Sequence, residues 1–152
     1  MLSYRIAQKR GRYLPGLRKA PARPKGEQTM YSSTVRDHAS RPRNRREMDA
    51  PTTQGSATYK RCGDKLTMYF RIEEDIITEC TFIARGCGPV IAVASLATTV
   101  LTGQSVDQAK KLSVIELHDI LGGMPVAKRH ALLLVLQCLA EALDQDHKLL
   151  EI

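Results

Sequence analysis

The chain has 152 residues, a one-domain length, and 43% of them are hydrophobic, so its bulk is globular rather than disordered. No apolar run approaches the ~20 residues that cross a bilayer; the nearest, Val90 to Leu101, is broken by Ser95, Thr98 and Thr99. The formal charge of +7 belongs to residues 1–29, where eight Lys/Arg stand against Glu27; from Met30 onward 15 basic and 15 acidic residues cancel, which argues against a nucleic-acid role for the body.

In residues 1–29 the basic side chains alternate with Pro15, Pro21, Pro24, Gly11, Gly16 and Gly26. No helical or strand period survives, and a disordered basic extension is expected. A basic arm and a transit peptide are two readings of it; the simplest is that the native chain starts at Met30. The folded domain is then expected over 30–152. No apolar segment follows the early positive charges as a secretory signal would require, so a cytoplasmic protein with free thiols is expected.

Residues 31–39 read as a short helix capped by Ser32 or Ser33, with Val35, His38 and Ala39 on one face, and Pro42 ends it. Arg41, Arg43, Arg45 and Arg46 form a basic cluster, expected to be a solvated turn. After a loop over 47–54, three strands follow: Gly55 to Lys60, Lys65 to Ile72 and Ile76 to Ala84. In the second, Leu66, Met68, Phe70 and Ile72 are predicted to face in, while Thr67, Tyr69 and Arg71 face out. In the third, Thr78, Cys80 and Phe82 share one face, and Ile77, Glu79, Thr81 and Ile83 the other. Short links predict an antiparallel meander. A helix is expected from Pro89 to about Thr102, stopped by Gly103. Capping boxes at Ser105 and Ser113 open two short helices. Gly122-Gly123-Met124-Pro125 breaks the chain before a final helix, Ala127 to Leu143, and the tail from Asp144 is expected to fray.

A meander puts the loop between strands one and two at the same end as the exit of strand three. That brings Cys62 and Asp64 to Cys87, and His130 in the first turn of the last helix faces back toward them. Two thiols, a carboxylate and an imidazole suit a zinc ion or the terminal positions of a two-iron cluster. Cys87 lies beside a helix N-terminus, which is expected to favour its thiolate. No CxxC pair is present, so the spacing names no zinc fold, and the same residues could be turn thiols and a surface histidine. Cys80 and Cys138 read as core residues.

The following residues stand in a known order: Tyr31-Ser32, Asp37-His38, Pro42-Arg43-Asn44, Cys62-Gly63-Asp64, Ile76-Ile77, Phe82, Gly86-Cys87-Gly88 before an Ala/Ser-rich helix, then Pro125, Lys128 and His130. From Tyr31 to the last helix the chain resembles the iron–sulfur cluster scaffold family of IscU and the NifU N-terminal domain. The resemblance implies an α+β fold, a small three-stranded antiparallel sheet packed by helices. It implies Cys62, Asp64, Cys87 and His130 as ligands of a [2Fe–2S] cluster or iron, with zinc as an alternative occupant. It also implies a cysteine desulfurase as sulfur donor and recipient apoproteins as partners.

Two departures qualify this. Ala131 stands where the family scaffold has a third ligand cysteine, also its usual sulfur acceptor. Met124-Pro125-Val126-Ala127-Lys128 replaces the family's Leu-Pro-Pro-Val-Lys, a change that argues against a dedicated chaperone. The chain also lacks the insertion of the zinc-bearing SufU branch. The expected role is a non-enzymatic scaffold or carrier with a labile cluster. The alternatives are a zinc-bound sulfur acceptor that stimulates a desulfurase, or a degenerate interaction module without metal. A homodimer bridging one cluster stays open.

Overall fold

The computed structural model describes Ala20 and residues 30–143. The expected N-terminal extension, Ala20 apart, and the tail from Asp144 lie outside the described residues. Helix α1 (Ser33–Ser40) opens on Ser32, whose hydroxyl accepts from the Val35 N–H at 3.1 Å. The Ser32 hydroxyl also donates to the Leu121 carbonyl across the molecule. Strands β1 (Thr53–Tyr59), β2 (Asp64–Glu73) and β3 (Ile76–Arg85) form the predicted antiparallel meander in the order β1-β2-β3. Helices α2 (Gly88–Leu101), α3 (Val106–Ala109) and α4 (Val114–Ile120) follow, then a 3-10 turn (Val126–Lys128) and α5 (His130–Leu143). Among the described residues, no helix is long and apolar enough to cross a membrane.

Leu66, Met68 and Phe70 are fully buried and stand opposite Ala84, Phe82 and Cys80. The alternation breaks near the far end of the β2–β3 pair. Arg71 pairs with Glu79, but Ile72 pairs with Ile77, leaving Thr78 as an extra residue. This bulge turns Ile77 into the core and Thr78 out to solvent, the reverse of strict alternation. The face predicted to be solvated is also covered: Thr67, Tyr69 and Thr81 are all buried. The loop after residue 46 crosses it, with Arg71 donating to the Asp49 carbonyl at 2.9 Å and Tyr69 near Glu47.

Arg41, Arg45 and Arg46 of the basic cluster are exposed, as a solvated turn implies, but the cluster is also tied down by ion pairs. Arg41 and Arg43 both bind Asp37, and Arg46 binds Glu79 on β3. The Asn44 carbonyl accepts from the Phe82 N–H at 3.0 Å, so this segment lies along the open edge of β3 and satisfies part of it. Ser95 on α2 joins the pieces: it accepts from the Arg43 N–H at 2.8 Å and bonds His38 Nδ1 at 2.7 Å.

Helix α5 lies on β1 and β2. Gly55 makes the approach close, since a Cβ there would stand 2.0 Å from the Cys138 carbonyl oxygen. Cys138 is buried and its thiol donates to the Leu66 carbonyl at 3.4 Å; Cys80 is buried as well, so both are core residues as expected. The last helix starts three residues later than predicted. After Pro125 the chain tightens into the 3-10 turn, and only at His130 does the α-helix begin.

Candidate metal centre

Three elements deliver the donor side chains. The β1–β2 turn carries Cys62, and Asp64 is the first residue of β2. Lys65 pairs with Arg85, so the exit of β3 lies beside Asp64 and brings Cys87, the N-cap of α2, next to it. His130 is the first residue of α5. A Cβ at Gly86 would lie 2.9 Å from Asp64 Oδ1, so only glycine leaves the carboxylate its place.

Asp64 is the hub. Its Oδ2 lies 3.1 Å from His130 Nε2 and accepts from the Cys87 thiol at 3.5 Å; Cys62 bonds the same carboxylate. The ligand atoms of Cys62, Asp64 and His130 all lie within 4.8 Å of one another. Cys87 falls outside that set and meets it only at Asp64. Donors sharing one tetrahedral ion are separated by roughly 3.3–3.8 Å, given metal–ligand lengths of about 2.0–2.3 Å. The spacing here is near that, and the donor types fit both zinc and iron. The site opens on one side: Cys62 is exposed, Cys87 and His130 are half-buried, and Asp64 is buried.

Burial pushes the Asp64 carboxyl up, but hydrogen bonds from Cys62, His130 and Cys87 outweigh it and hold the group below its usual range. Cys87 goes the other way. Burial raises its thiol pKa and the neighbouring Asp64 charge adds to this, while the Val90 backbone N–H and the Lys128 charge pull down. The net direction is up, which corrects the expectation that the helix N-terminus makes Cys87 a ready thiolate. In the protein without metal, Cys87 is a protonated donor to Asp64.

The sequence reading missed Tyr59. Its ring stacks on His130 with centroids 4.2 Å apart and planes 12° from parallel. Tyr59 ends β1, and a strand-end aromatic five residues before a carboxylate was the only signal available. The stack and the Asp64 hydrogen bond together fix the imidazole with Nε2 turned into the donor cluster.

Fold and site define a small α+β domain with sulfur, nitrogen and oxygen donors gathered at one end of its sheet. The chain matches the model of the NifU-like N terminal domain over residues 30–148 and belongs to that family. It is 32% identical over 114 residues to an iron–sulfur cluster assembly scaffold protein IscU of Archaeoglobus fulgidus, covering 75% of this chain and 74% of that one. It is 34% identical over 122 residues to the IscU scaffold protein of Rickettsia prowazekii, covering 78% and 92%. Among solved structures, a putative SUF-system scaffold protein from Fervidobacterium islandicum superposes with a TM-score of 0.62 at 19% identity, covering 78% of this chain and 99% of that one. A NifU-like N-terminal protein from Brucella abortus gives 0.63 at 16% identity, covering 76% and 93%. These two likenesses establish the shared fold.

Proposed function

We propose that this chain is an iron–sulfur cluster assembly scaffold, which holds a [2Fe–2S] cluster or its iron as cargo and hands it to apoproteins. The observation that supports it most is the convergence of Cys62, Cys87 and His130 on the Asp64 carboxylate, in a chain of the NifU-like family. Cys62, at the exposed side, is the thiol an incoming partner reaches first. Cys87 and His130 close the inner side, and Asp64 occupies the centre. Cargo must displace the thiol protons, which leave to solvent through the open, Cys62 side of the site while Asp64 stays ionised as a ligand. His130 presents its Nε2, 3.1 Å from Asp64 Oδ2, as the nitrogen donor.

Two thiolates where the family resemblance implies three should leave the cargo weakly held and easily passed on, and imidazole in place of thiolate raises a cluster's potential. Ala131 is fully buried and has no sulfur, so any sulfur delivered by a cysteine desulfurase must land on Cys62 or Cys87. The same donor set accepts zinc, and zinc is the alternative occupant.

Anaerobic reconstitution with iron and sulfide tests the proposal. The protein should develop sulfide-to-iron charge-transfer absorbance that Cys62→Ala and Cys87→Ala both abolish. A colourless product, or colour that survives both substitutions, would reject it.

A further inference from the structure

Lys65 on β2 and Arg85 on β3 are register partners. Like charges placed directly opposite on neighbouring strands repel and weaken the pair. Among the described residues neither cation meets a carboxylate. The ion pairs of Arg41 and Arg43 with Asp37, and of Arg46 and Arg71 with Glu79, lie elsewhere. Lys60, Arg61, Lys128 and Arg129 surround the same end and are also outside any ion pair among the described residues. The acids of the hairpin, Glu73, Glu74 and Asp75, sit at the opposite end of the β2–β3 pair. The sheet therefore has a basic end and an acidic end, although the domain is neutral.

A groove of about 470 Å³ opens between these two cations, lined by Lys65, Thr67, Ile83, Ala84 and Arg85. Ile83 is 36% exposed in it, one of the few large apolar side chains at the surface. Lys65 follows Asp64 directly, and Arg85 is two residues before Cys87. The groove is thus adjacent to the donor cluster, with charged walls and an apolar residue between them.

We infer that this groove is a docking site for an acidic, extended segment of a partner protein. Its carboxylates neutralise Lys65 and Arg85, and an apolar side chain covers Ile83. A single small anion would answer the charges but leave Ile83 bare. Docking there would hold the partner beside the open, Cys62 side of the site. The inference rests on the proposed function only in taking the partner to be one that visits that site; the groove itself is independent of what the site carries.

Lys65→Glu gives the decisive test. It converts the repulsive Lys65–Arg85 pair into an attractive one, so Tm should rise while docking weakens. The probe is a short synthetic peptide of alternating Glu and Leu, titrated into the ¹⁵N-labelled chain. Shifts should concentrate at Lys65, Thr67, Ile83 and Arg85, weaken with salt, and need about tenfold more peptide in Lys65→Glu, the equivalent of one lost charge-assisted contact. Zinc binding to Lys65→Glu, followed in the same samples, should be unchanged, which separates this inference from the ligand assignment. Shifts elsewhere, equal peptide affinity in Lys65→Glu, or the same shifts from acetate at equal carboxylate concentration would overturn it.

Discussion

Four cysteines divide between two regions of this molecule, and the division shows how surroundings decide what a thiol does. Cys80 and Cys138 lie in the core between the sheet and α5, fully enclosed, and burial pushes both thiols far above their usual range. There a thiol is a small apolar residue with a weak donor. Cys62 and Cys87 lie at the end of the same sheet, one exposed and one half-buried, both bonded to Asp64. A carboxylate to bond, and an opening to solvent, are what the first pair lacks. The ~25 Å or less that separates regions of so small a domain matters less than this difference in access.

Alkylation of the metal-free protein should expose the contrast most sharply. Cys62 should react first and Cys87 later, while Cys80 and Cys138 react only on unfolding. Because the Cys87 pKa is raised from the ordinary 9.0, its rate should keep climbing above pH 9, where an ordinary thiol levels off. Added zinc should protect Cys62 and Cys87 together. Peptide mass mapping reads all of this, and early labelling of Cys138 would undo the comparison.

A smaller effect tests how His130 is held. Tyr59→Leu removes the stack and should weaken zinc binding roughly 10-fold, the low end for losing an outer partner of a ligand, whereas Tyr59→Phe keeps the ring and should bind normally. The apo imidazole's ¹⁵N shifts should move in Tyr59→Leu alone. Equal affinity in both variants would make Tyr59 a packing residue only.

The smallest effect comes from Ala131→Cys. It offers a third thiolate at a stability cost of about 1 kcal/mol for one added atom in a fully enclosed position. Release of the reconstituted cluster to an apoferredoxin should slow severalfold. An unchanged rate would show that position 131 is out of reach of the cargo.

Much of this architecture was legible in the sequence because its signals are local. Alternation over Leu66, Met68 and Phe70 marked β2; capping boxes marked the helix starts at Ser105 and Ser113, and of the two candidates Ser32 and Ser33 it is Ser32 that caps the first helix. The meander then brought Cys62, Asp64 and Cys87 to one end with no further assumption. What could not be read depends on cross-chain context. The bulge that turns Ile77 inward exists only in the pairing of Arg71 and Ile72 with β3. The ion pairs of Arg43 and Arg46 need partners folded against them. The Cys87 thiol responds to burial and Asp64 more than to its helix, a balance that sequence position does not reveal. The Tyr59–His130 stack joins residues 71 positions apart in the chain.

X-ray absorption at the zinc edge of the stoichiometrically loaded protein addresses the donor set itself. The spectrum should show two sulfurs at about 2.3 Å and two nitrogen or oxygen donors at about 2.0 Å, with one sulfur lost in Cys62→Ala and one in Cys87→Ala. A shell without sulfur, or one unaltered by either substitution, would contradict that donor set.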